Sequence, residues 1–554
     1  MRGVRGVLLA LLAAGIAAYF VRLGASAIWD ANEAFYVETP REMLAAHDLI
    51  NPTFDYQPRF NKPVLSYWMV AGLYKLFGVS VAAQRFGIAL GAMVIIACAF
   101  VLAGIGERGS RIGDHGPRTT DHGSRIAGLW AATGLAAAPR LVMFARRIFI
   151  DVWLTAFTSL TLMFFALAEM RPERRRFYLT LMYVSAGLGV LTKGPAFIAL
   201  PALAFGLYLV MTRQLRRITE MMIPLGIVIV AVIVVPWYAV LHHQHGWTYI
   251  TSFLVGENIE RFTEGAGVLV RRGPLFYLPV VFTDSFPWSI LLPAAAVAAW
   301  RQPTRLQTLL WCWIVIFVGV ISFSVGKQDL YIFPIVPAVA ALGGMAVERG
   351  LTDDRWRLWL ARTLAVAGVT LAAAGCLVLF VAAGRVYSLS GATTVAAIGL
   401  AGGLIVCGLV LAGRQATAAM TLLAAMIAIN WTFVVGVLPE FARYQPVPSF
   451  SRTLQARLKP GDAVAEYRVA LPSLVFYLGR HVDQYFDPDL FVNAMLAPRP
   501  VYATITAEDY EALAPRLAAR TCIVDHRPTF DVKLGRVLAR EPLPELLLIT
   551  NDCR

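Results

Sequence analysis

The segment SVAAQRFGIALGAMVIIACAFVLAG, residues 80–104, is apolar almost throughout and decides the class of fold. At ~1.5 Å per residue, a helix of this length crosses the ~30 Å hydrocarbon core of a bilayer. Runs of the same character occur near residues 6–24, 126–142, 152–170, 178–191, 195–212, 220–240, 274–299, 307–323, 331–347, 359–383, 393–413 and 416–438. The sequence therefore predicts a polytopic α-helical membrane protein with about thirteen transmembrane helices.

The composition excludes an ordinary soluble protein. Hydrophobic residues make up 58% of the 554 residues and charged residues only 15%, with a mean hydropathy of +0.63. Soluble domains carry roughly 25% charged residues. The net charge of +14 would suggest nucleic acid in a soluble chain, but here the basic residues lie in short clusters between apolar runs. We therefore expect a lipid bilayer as the environment, no nucleic-acid partner and a monomer.

The basic clusters predict the orientation of the chain. Arginines cluster in alternate connections, at residues 2–5, 108–125, 171–176, 213–217, 301–305 and 355–357. By the positive-inside rule these segments are cytoplasmic, which places the N-terminus inside and the C-terminus outside. The first run resembles a signal peptide, but we interpret it as an uncleaved first span. The repetitive segment GSRIGDHGPRTTDHGSRIAG, residues 109–128, is predicted to be a mobile cytoplasmic loop.

The composition changes near residue 447. Short strand patterns (AVAEY, VDQYF, PVYATIT, TCIVDH, LLLIT) alternate there with helical patterns (LPSLVFYLGR, AEDYEALAPRLAAR). The chain thus divides into a transmembrane domain, residues 1–446, and a small outward α/β domain, residues 447–554. Cys522 and Cys553 are the two cysteines of the outward domain, and whether they form a disulfide stays open.

The first outward loop, residues 25–79, is rich in acids. Asp30 and Glu33 lie close to the membrane edge, and if the segment is helical their spacing puts both carboxyls on one face. Desolvation there would raise the pKa of a carboxyl and make it a better base. Glu42, Asp48 and Asp55 are expected only to solvate the loop.

Charged residues at other span ends are predicted to face the same outer side of the membrane as the first outward loop. Asp151 follows the third run on the outer side. The cations Lys62, Lys193, Lys327 and Arg261 lie at outward span ends, against the positive-inside trend, and Arg59 is grouped with them. Carboxylates beside cations at the outer leaflet predict a bound lipid phosphate and a group transfer from it.

Several ordered motifs carry a family resemblance. NEAFYVETPREML, FNKPVLSYWMVAGLYKLFG, LTKGP, ENIERF, FPWSILLP and FSVGKQDLYIFPIVP follow one another between residues 28 and 340. Together they resemble the bacterial lipid A aminoarabinose transferases, a family related to the protein O-mannosyltransferases. The resemblance implies a C-type membrane glycosyltransferase fold in the bacterial inner membrane, with the outward domain in the periplasm. It also implies inverting transfer of a sugar from polyprenyl (undecaprenyl) phosphate to a lipid acceptor such as lipid A.

The resemblance also assigns substrate-binding residues. Alignment on REML places Asn32 where the family has an aspartate, retains Glu33 as its partner, and puts Tyr36 at the motif's tyrosine. Phe35 replaces an arginine, and Asn61 replaces an acid before the lysine of the KP motif. The residues expected to bind substrate are Asn32, Tyr36, Asn61, Glu257 and Tyr331.

The predicted mechanism is a single displacement at the anomeric carbon. The asparagine at position 32 cannot take a proton at neutral pH. Either Glu33 or Asp30 is therefore the base that deprotonates or orients the acceptor, or the chain transfers by positioning alone. Lys62, Lys193 and Lys327 would stabilise the departing phosphate, with Asp151 as a positioning acid. No organic cofactor is expected. A divalent metal bridging acid and phosphate stays open, although the sequence shows no dedicated site.

Other functions stay open at this point. A protein O-mannosyltransferase would have the same spans and charges, so a protein acceptor is the main alternative to a lipid. A lipid or solute transporter should show inverted repeats and mid-span charges, whereas these charges cluster at span ends. A polytopic scaffold would explain the spans but not the converging acids and lysines.

Overall fold

The computed structural model describes residues 2–30, 33–105, 121–260, 263, 272–383, 389–517, 520–530, 539 and 541–553. Most of the loop predicted over residues 109–128 lies outside the described residues. Residues 121–128 of that segment are helical, so the prediction of a loop is wrong there.

The helices before residue 447 form the membrane region. They are α1 (Arg2–Phe20), α2 (Glu33–Ala45), α3 (Leu65–Phe77), α4 (Val81–Gly104), α5 (Asp121–Ala137), α6 (Pro139–Phe144), α7 (Phe149–Met170), α8 (Arg175–Lys193), α9 (Ala196–Met211), α10 (Ile223–His245), α11 (Thr248–Thr251), α12 (Tyr277–Asp284), α13 (Leu292–Arg301), α14 (Arg305–Ser322), α15 (Val336–Thr352), α16 (Asp354–Ala383), α17 (Ser390–Leu411), α18 (Gln415–Thr432) and α19 (Leu438–Glu440). Short 3₁₀ segments lie at Pro172–Arg174, Leu215–Glu220, Pro274–Phe276, Trp288–Leu291, Asp329–Ile335 and Phe441–Tyr444, and π-helical segments at Ser252–Glu260 and Phe433–Val437. Each predicted apolar run lies mostly on one or more of these helical segments.

The prediction of a multi-pass helical membrane protein is confirmed. Among the described residues, nine helical segments are long and apolar enough to cross a membrane. The number is ten if Pro274–Asp284 and Trp288–Arg301, which meet at 113°, form one broken span.

The broken span is held by Trp288. Its indole is buried between α5 and α15, and its Nε1 donates to the carbonyl of Trp130 at 3.0 Å. A Cβ added at Gly134 would lie 1.7 Å from the indole Nε1, and one added at Gly343 would lie 2.5 Å from Trp288 Cβ, so both would collide with this side chain. Small residues on both flanking helices therefore make the space for this large side chain.

A small domain follows the membrane helices. Its helices are α20 (Val447–Arg457), α21 (Ser473–Leu478), α22 (Pro488–Met495) and α23 (Ala507–Leu517). Its strands are β3 (Ala463–Tyr467), β4 (Asp483–Tyr485), β5 (Val501–Thr506), β6 (Cys522–Pro528) and β7 (Glu545–Thr550), after a short hairpin in the first loop, β1 (Thr53–Phe54) and β2 (Gln57–Pro58). The sheet order is β4-β3-β5-β7-β6, with β3 parallel to β4 and β5, and β7 antiparallel to β5 and β6.

The predicted strand segments all form strands of this sheet, so the prediction of a small α/β unit is confirmed. Hydrophobic residues of β3, β5 and β7 are buried under α22 and α23. Cys522 and Cys553 are joined in a disulfide with a Cα–Cα distance of 5.6 Å. The bond ties the end of the chain to β6, at the edge of the sheet.

The first loop packs directly on the small domain. Tyr56 donates its hydroxyl hydrogen to the carbonyl of Gly479 at 2.8 Å, and the backbone N–H of Ile28 donates to the hydroxyl of Tyr477 at 3.2 Å. Helix α2 contacts α21 along this interface. The loop with most of the candidate acids is thus enclosed between the membrane helices and the small domain.

Candidate active site

Glu33 begins α2 and is completely buried. Its Oε1 accepts a hydrogen bond from Arg85 Nε at 2.6 Å, and its Oε2 accepts from Arg85 Nη2 at 2.9 Å. The backbone N–H of Trp29 also donates to Oε2, at 3.0 Å. Both carboxylate oxygens are therefore occupied in a region without solvent. This arrangement argues against the base role predicted for Glu33, because a substrate proton has no access to it.

Arg85 was missed by sequence reasoning. This residue of α4 is fully buried and donates its remaining N–H groups to the carbonyls of Leu23, Ser26 and Ala27 and to the Ser26 hydroxyl, at 2.8 to 3.0 Å. It thereby fixes the segment between α1 and α2. The signal that could have found it is a charged residue inside an apolar run, which is expensive unless it has partners.

Asp30 has different surroundings from Glu33. Its Oδ1 accepts a hydrogen bond from the backbone N–H of Ser473 in the small domain, at 2.9 Å. Burial raises the pKa of Asp30 to about 6, and the nearby Glu33 charge adds to the increase. The expectation that both carboxyls share one helix face is wrong, because α2 begins at Glu33 and Asp30 faces the small domain.

Three of the predicted site residues come together at the ends of helices. Asp151 lies in the first turn of α7, and Lys193 is the last residue of α8. The Lys193 ammonium forms a salt bridge with Asp151 Oδ1, with side-chain exposures of 14% and 8%. Lys193 Nζ also lies 5.4 Å from the ring centroid of Tyr331. The antiparallel packing of α7 on α8 creates this cluster from residues that are 42 positions apart.

Tyr36 connects the first loop to this cluster. Its ring stacks on Tyr67 at 5.6 Å and on Phe149 at 6.4 Å between centroids. Phe149 begins α7, two positions before Asp151. The loop and the Asp151–Lys193 pair therefore lie at the same end of the helix bundle.

The other predicted cations are dispersed around this end. Lys327 is buried and donates to the carbonyl of Arg272 at 3.0 Å and to that of Ser324. The Arg59 guanidinium lies 3.7 Å from the ring centroid of Phe35. Lys62 is half-buried.

For the remaining residues predicted to bind substrate, we report only exposure or position in the chain. Asn61 is exposed. Asn32, Arg261 and the side chain of Glu257 lie outside the described part of the chain.

Glu42 is not a solvated loop residue, so that expectation is wrong. It is 3% exposed, and its Oε2 accepts from Thr53 Oγ1 at 2.6 Å and from the backbone N–H of Tyr56 at 3.1 Å. Burial and the neighbouring Glu38 raise the pKa of Glu42 to about 7. Glu38 is itself buried and accepts from Arg41 Nε at 2.7 Å. The hydrophobic surroundings of α2, which the loop sequence does not reveal, produce this burial.

Asp55 also does more than solvate the loop. Its Oδ1 accepts from the backbone N–H of Val482 at 3.1 Å, and its Oδ2 lies 3.0 Å from His481 Nδ1. Both partners belong to the small domain. Asp48 instead caps the turn after α2, accepting from the backbone N–H of Ile50 at 2.8 Å.

Sequence reasoning also missed a cluster around Arg140. Its Nε lies 3.0 Å from Asp284 Oδ1, and its Nη2 forms a salt bridge with Asp329. Asp284 is 1% exposed. The cluster joins α6, the end of α12 and the 3₁₀ segment that carries Tyr331.

Metal coordination is not indicated by the geometry. Within the described residues, no group of three or more His, Cys, Asp or Glu side chains is placed to hold a metal ion.

The sequence of the chain is similar to those of known proteins. Residues 122–239 match the family model described as dolichyl-phosphate-mannose-protein mannosyltransferase. Undecaprenyl phosphate-α-4-amino-4-deoxy-L-arabinose arabinosyl transferase 1 of Pseudomonas fluorescens (strain Pf0-1) is 27% identical over 62% of this chain and 58% of its own length. The corresponding transferase of Pseudomonas paraeruginosa is 30% identical over 66% and 62%. The match thus spans about three fifths of the length of these relatives.

Solved structures show the fold. ArnT from Cupriavidus metallidurans, crystallised bound to undecaprenyl phosphate, superposes with a TM-score of 0.80 over 99% of this chain and 98% of its own, at 20% identity. Its apo form gives 0.77. The chain has the ArnT fold. The predicted C-type glycosyltransferase architecture and the resemblance to aminoarabinose transferases and protein O-mannosyltransferases are confirmed. The superposition covers nearly the whole chain, including the first loop and the small domain that enclose the candidate site.

Proposed function

We propose that this protein is an integral membrane glycosyltransferase that moves a sugar from a polyprenyl phosphate donor to a lipid acceptor. The observation that carries the proposal is the Lys193 ammonium, held by Asp151 beside the Tyr331 ring at the loop end of the bundle. A cation in this position is suited to a lipid-linked phosphate. The relatives' names make undecaprenyl phosphate-4-amino-4-deoxy-L-arabinose the first donor to test. The resemblance of the motifs to the lipid A aminoarabinose transferases makes lipid A the first acceptor to test.

The chemistry is a displacement at the anomeric carbon. An acceptor oxygen forms a bond to this carbon while the bond from carbon to the donor phosphate oxygen breaks, which inverts the configuration. Polyprenyl phosphate leaves with the electron pair, so negative charge develops on its oxygens. Lys193, with Lys62 from the first loop, would stabilise that charge. Asp151 positions Lys193, and Lys327 positions its own loop through two carbonyls.

The contacts of the acids favour a phosphate as the nucleophile. Glu33 is occupied by Arg85, and Asp30 accepts from Ser473, so both have structural partners. A hydroxyl acceptor would need a base, whereas a phosphate monoester is already ionised at neutral pH. A phosphorylated glycolipid therefore fits the site better than a hydroxyl of a protein.

Two observations support an orientation in the membrane. Arginines cluster in alternate connections, which supports a cytoplasmic N-terminus. The Cys522–Cys553 disulfide supports an oxidising compartment for the small domain. We infer that the site opens to the periplasm of a bacterial inner membrane.

The proposal is tested with purified protein in liposomes. The donor is undecaprenyl phosphate carrying radiolabelled 4-amino-4-deoxy-L-arabinose, and the acceptor is lipid A. We expect label on lipid A, with the position of the sugar read by mass spectrometry, and little label with Lys193→Met. No transfer from this donor or from mannosyl phosphoundecaprenol, under conditions in which a known transferase is active, would overturn the proposal.

A protein acceptor is the second candidate. It is favoured by the match of residues 122–239 to the mannosyltransferase family model. A Ser/Thr-rich peptide in the same liposomes distinguishes the two, because label on the peptide with none on lipid A would select the protein acceptor.

A further inference from the structure

A cavity with two arginines in its lining lies beside the first loop, and Lys193 is not among its lining residues. It has a volume of about 220 Å³ and is lined by Ser26, Trp29, Arg146, Arg147, Phe441 and Phe530, among others. These residues come from the segment after α1, the linker between α6 and α7, the segment after α19, and the end of the small-domain sheet. With a water molecule occupying ~30 Å³, the cavity has room for a phosphate group.

The charge of Arg146 has partners within the fold. This residue is 3% exposed and donates to the carbonyl of Ala18 at 3.2 Å and to the carbonyls of Val21 and Arg22. These carbonyls belong to the C-terminal end of α1, where the helix dipole is negative. These hydrogen bonds therefore hold the Arg146 side chain in place in the cavity lining.

Arg147 differs because, among the described residues, its guanidinium donates to no carbonyl and pairs with no acid. Its guanidinium lies 4.7 Å from the ring centroid of Trp29, and its Nε is buried without a hydrogen-bond partner. In the described part of the chain, Arg147 forms no salt bridge with a carboxylate. Burial lowers the pKa of Arg147 to about 10; the Arg140 charge adds to the decrease and the more distant Glu33 charge opposes it. A partly buried cation that pairs directly with no acid is unfavourable, and an anionic ligand in contact with it would relieve that cost.

We propose that the Arg147 cavity binds a phosphate group of the acceptor lipid. The proposal rests on the proposed function, and it gives the acceptor a site distinct from that of the donor phosphate at Lys193. The guanidinium of Arg147 would pair with the phosphate oxygens, and Trp29 and Phe530 form an aromatic wall beside it. Because Trp29 directly precedes Asp30, this acceptor site adjoins the loop that carries Glu33.

The test is a binding measurement on the full chain in nanodiscs of zwitterionic phospholipid. Three probes are compared: lipid A, its chemically dephosphorylated form, and undecaprenyl phosphate. We expect Arg147→Gln to weaken binding of lipid A by about tenfold or more, with little change for the dephosphorylated form or for undecaprenyl phosphate. Arg147→Lys should be intermediate, because it keeps the charge but not the planar fork.

Arg452→Gln is the matched control, since Arg452 is an exposed arginine of α20 that donates to the carbonyl of Pro448. Arg452→Gln removes one positive charge outside the cavity lining, and the variant should bind all three probes like the wild type. Equal lipid A binding by wild type and Arg147→Gln, both with wild-type melting temperature, would overturn the inference. So would inorganic phosphate that competes as tightly as the lipid, because the cavity would then be an ion site. Failure of wild type to bind undecaprenyl phosphate would instead count against the proposed function.

Discussion

Arg85 of α4 and Glu33 of α2 form a two-point ion pair in which neither side chain is exposed. The pair joins a membrane helix to the first residue of the loop helix, and Arg85 also holds three carbonyls of the preceding segment. The geometry of the whole first loop, including Asp30 and Trp29, therefore depends on one buried contact.

This pair gives the first prediction. Glu33→Gln should destabilise the protein by roughly 3–5 kcal/mol, because the Arg85 charge stays buried without its partner. The double variant Glu33→Gln/Arg85→Met should lose less than the sum of the two single variants. Thermal unfolding in detergent measures both. If Glu33→Gln keeps the wild-type melting temperature yet loses transfer, Glu33 acts as the base after all.

The second prediction concerns donor phosphate. Lys193→Met should reduce transfer by about 10²-fold or more, because the departing phosphate would lack its counter-charge. Asp151→Asn should reduce transfer less, since it removes only the group that positions the lysine. Lys75→Met is the control, because Lys75 is an exposed lysine in the last turn of α3. Full activity of a folded Lys193→Met protein would exclude lysine-assisted departure.

The third prediction separates a phosphate nucleophile from a hydroxyl. Asp30→Asn should lower transfer to lipid A by less than about tenfold, because an ionised phosphate needs no base. General base catalysis by Asp30 would instead predict a loss of about 10²- to 10⁴-fold, with activity rising through its pKa of about 6. A pH profile of turnover from pH 5 to 8 for both proteins distinguishes these outcomes.

The fourth prediction concerns stability and pH at the interface of the small domain. Burial raises the pKa of Glu466 to about 8, and Asp30 and Asp55 add to the increase. The folded protein then binds a proton that the unfolded chain releases near pH 4.5, so stability should fall as pH rises from about 4.5 to 8. Glu466→Gln should flatten this dependence and raise the melting temperature at pH 8. An unchanged pH dependence in the variant would show that Glu466 is not the group responsible.

The fifth prediction concerns orientation. Cys522 and Cys553 should react with a membrane-impermeant maleimide in spheroplasts only after mild reduction, because they are bonded and, in the proposed topology, face the periplasm. Reporter fusions at residues 174 and 500 give an independent reading, with the cytoplasmic reporter active at 174. An active cytoplasmic reporter at 500 would contradict this topology.

Several features could be predicted from the sequence because they are local. The length and apolarity of each run determine a helix that can cross a bilayer, and alternating patterns determined the strands of the small domain. Asp151 and Lys193 were recognisable because charges at span ends stand out against apolar neighbours. The family resemblance likewise rested on short, ordered motifs.

The partners and the burial of the charged side chains were decided only by the tertiary structure. Glu33 pairs with a residue 52 positions away, and Asp30 with one 443 positions away, so neither contact leaves a local pattern. Glu42 looked solvated because it lies in a polar loop, yet that loop is enclosed between helices and the small domain. The sequence determined which charged groups exist and at which end of the bundle they lie. Whether each is a base, a positioning residue or an uncompensated cation such as Arg147 depends on the segments that pack around it, because those segments control its desolvation and its hydrogen bonds.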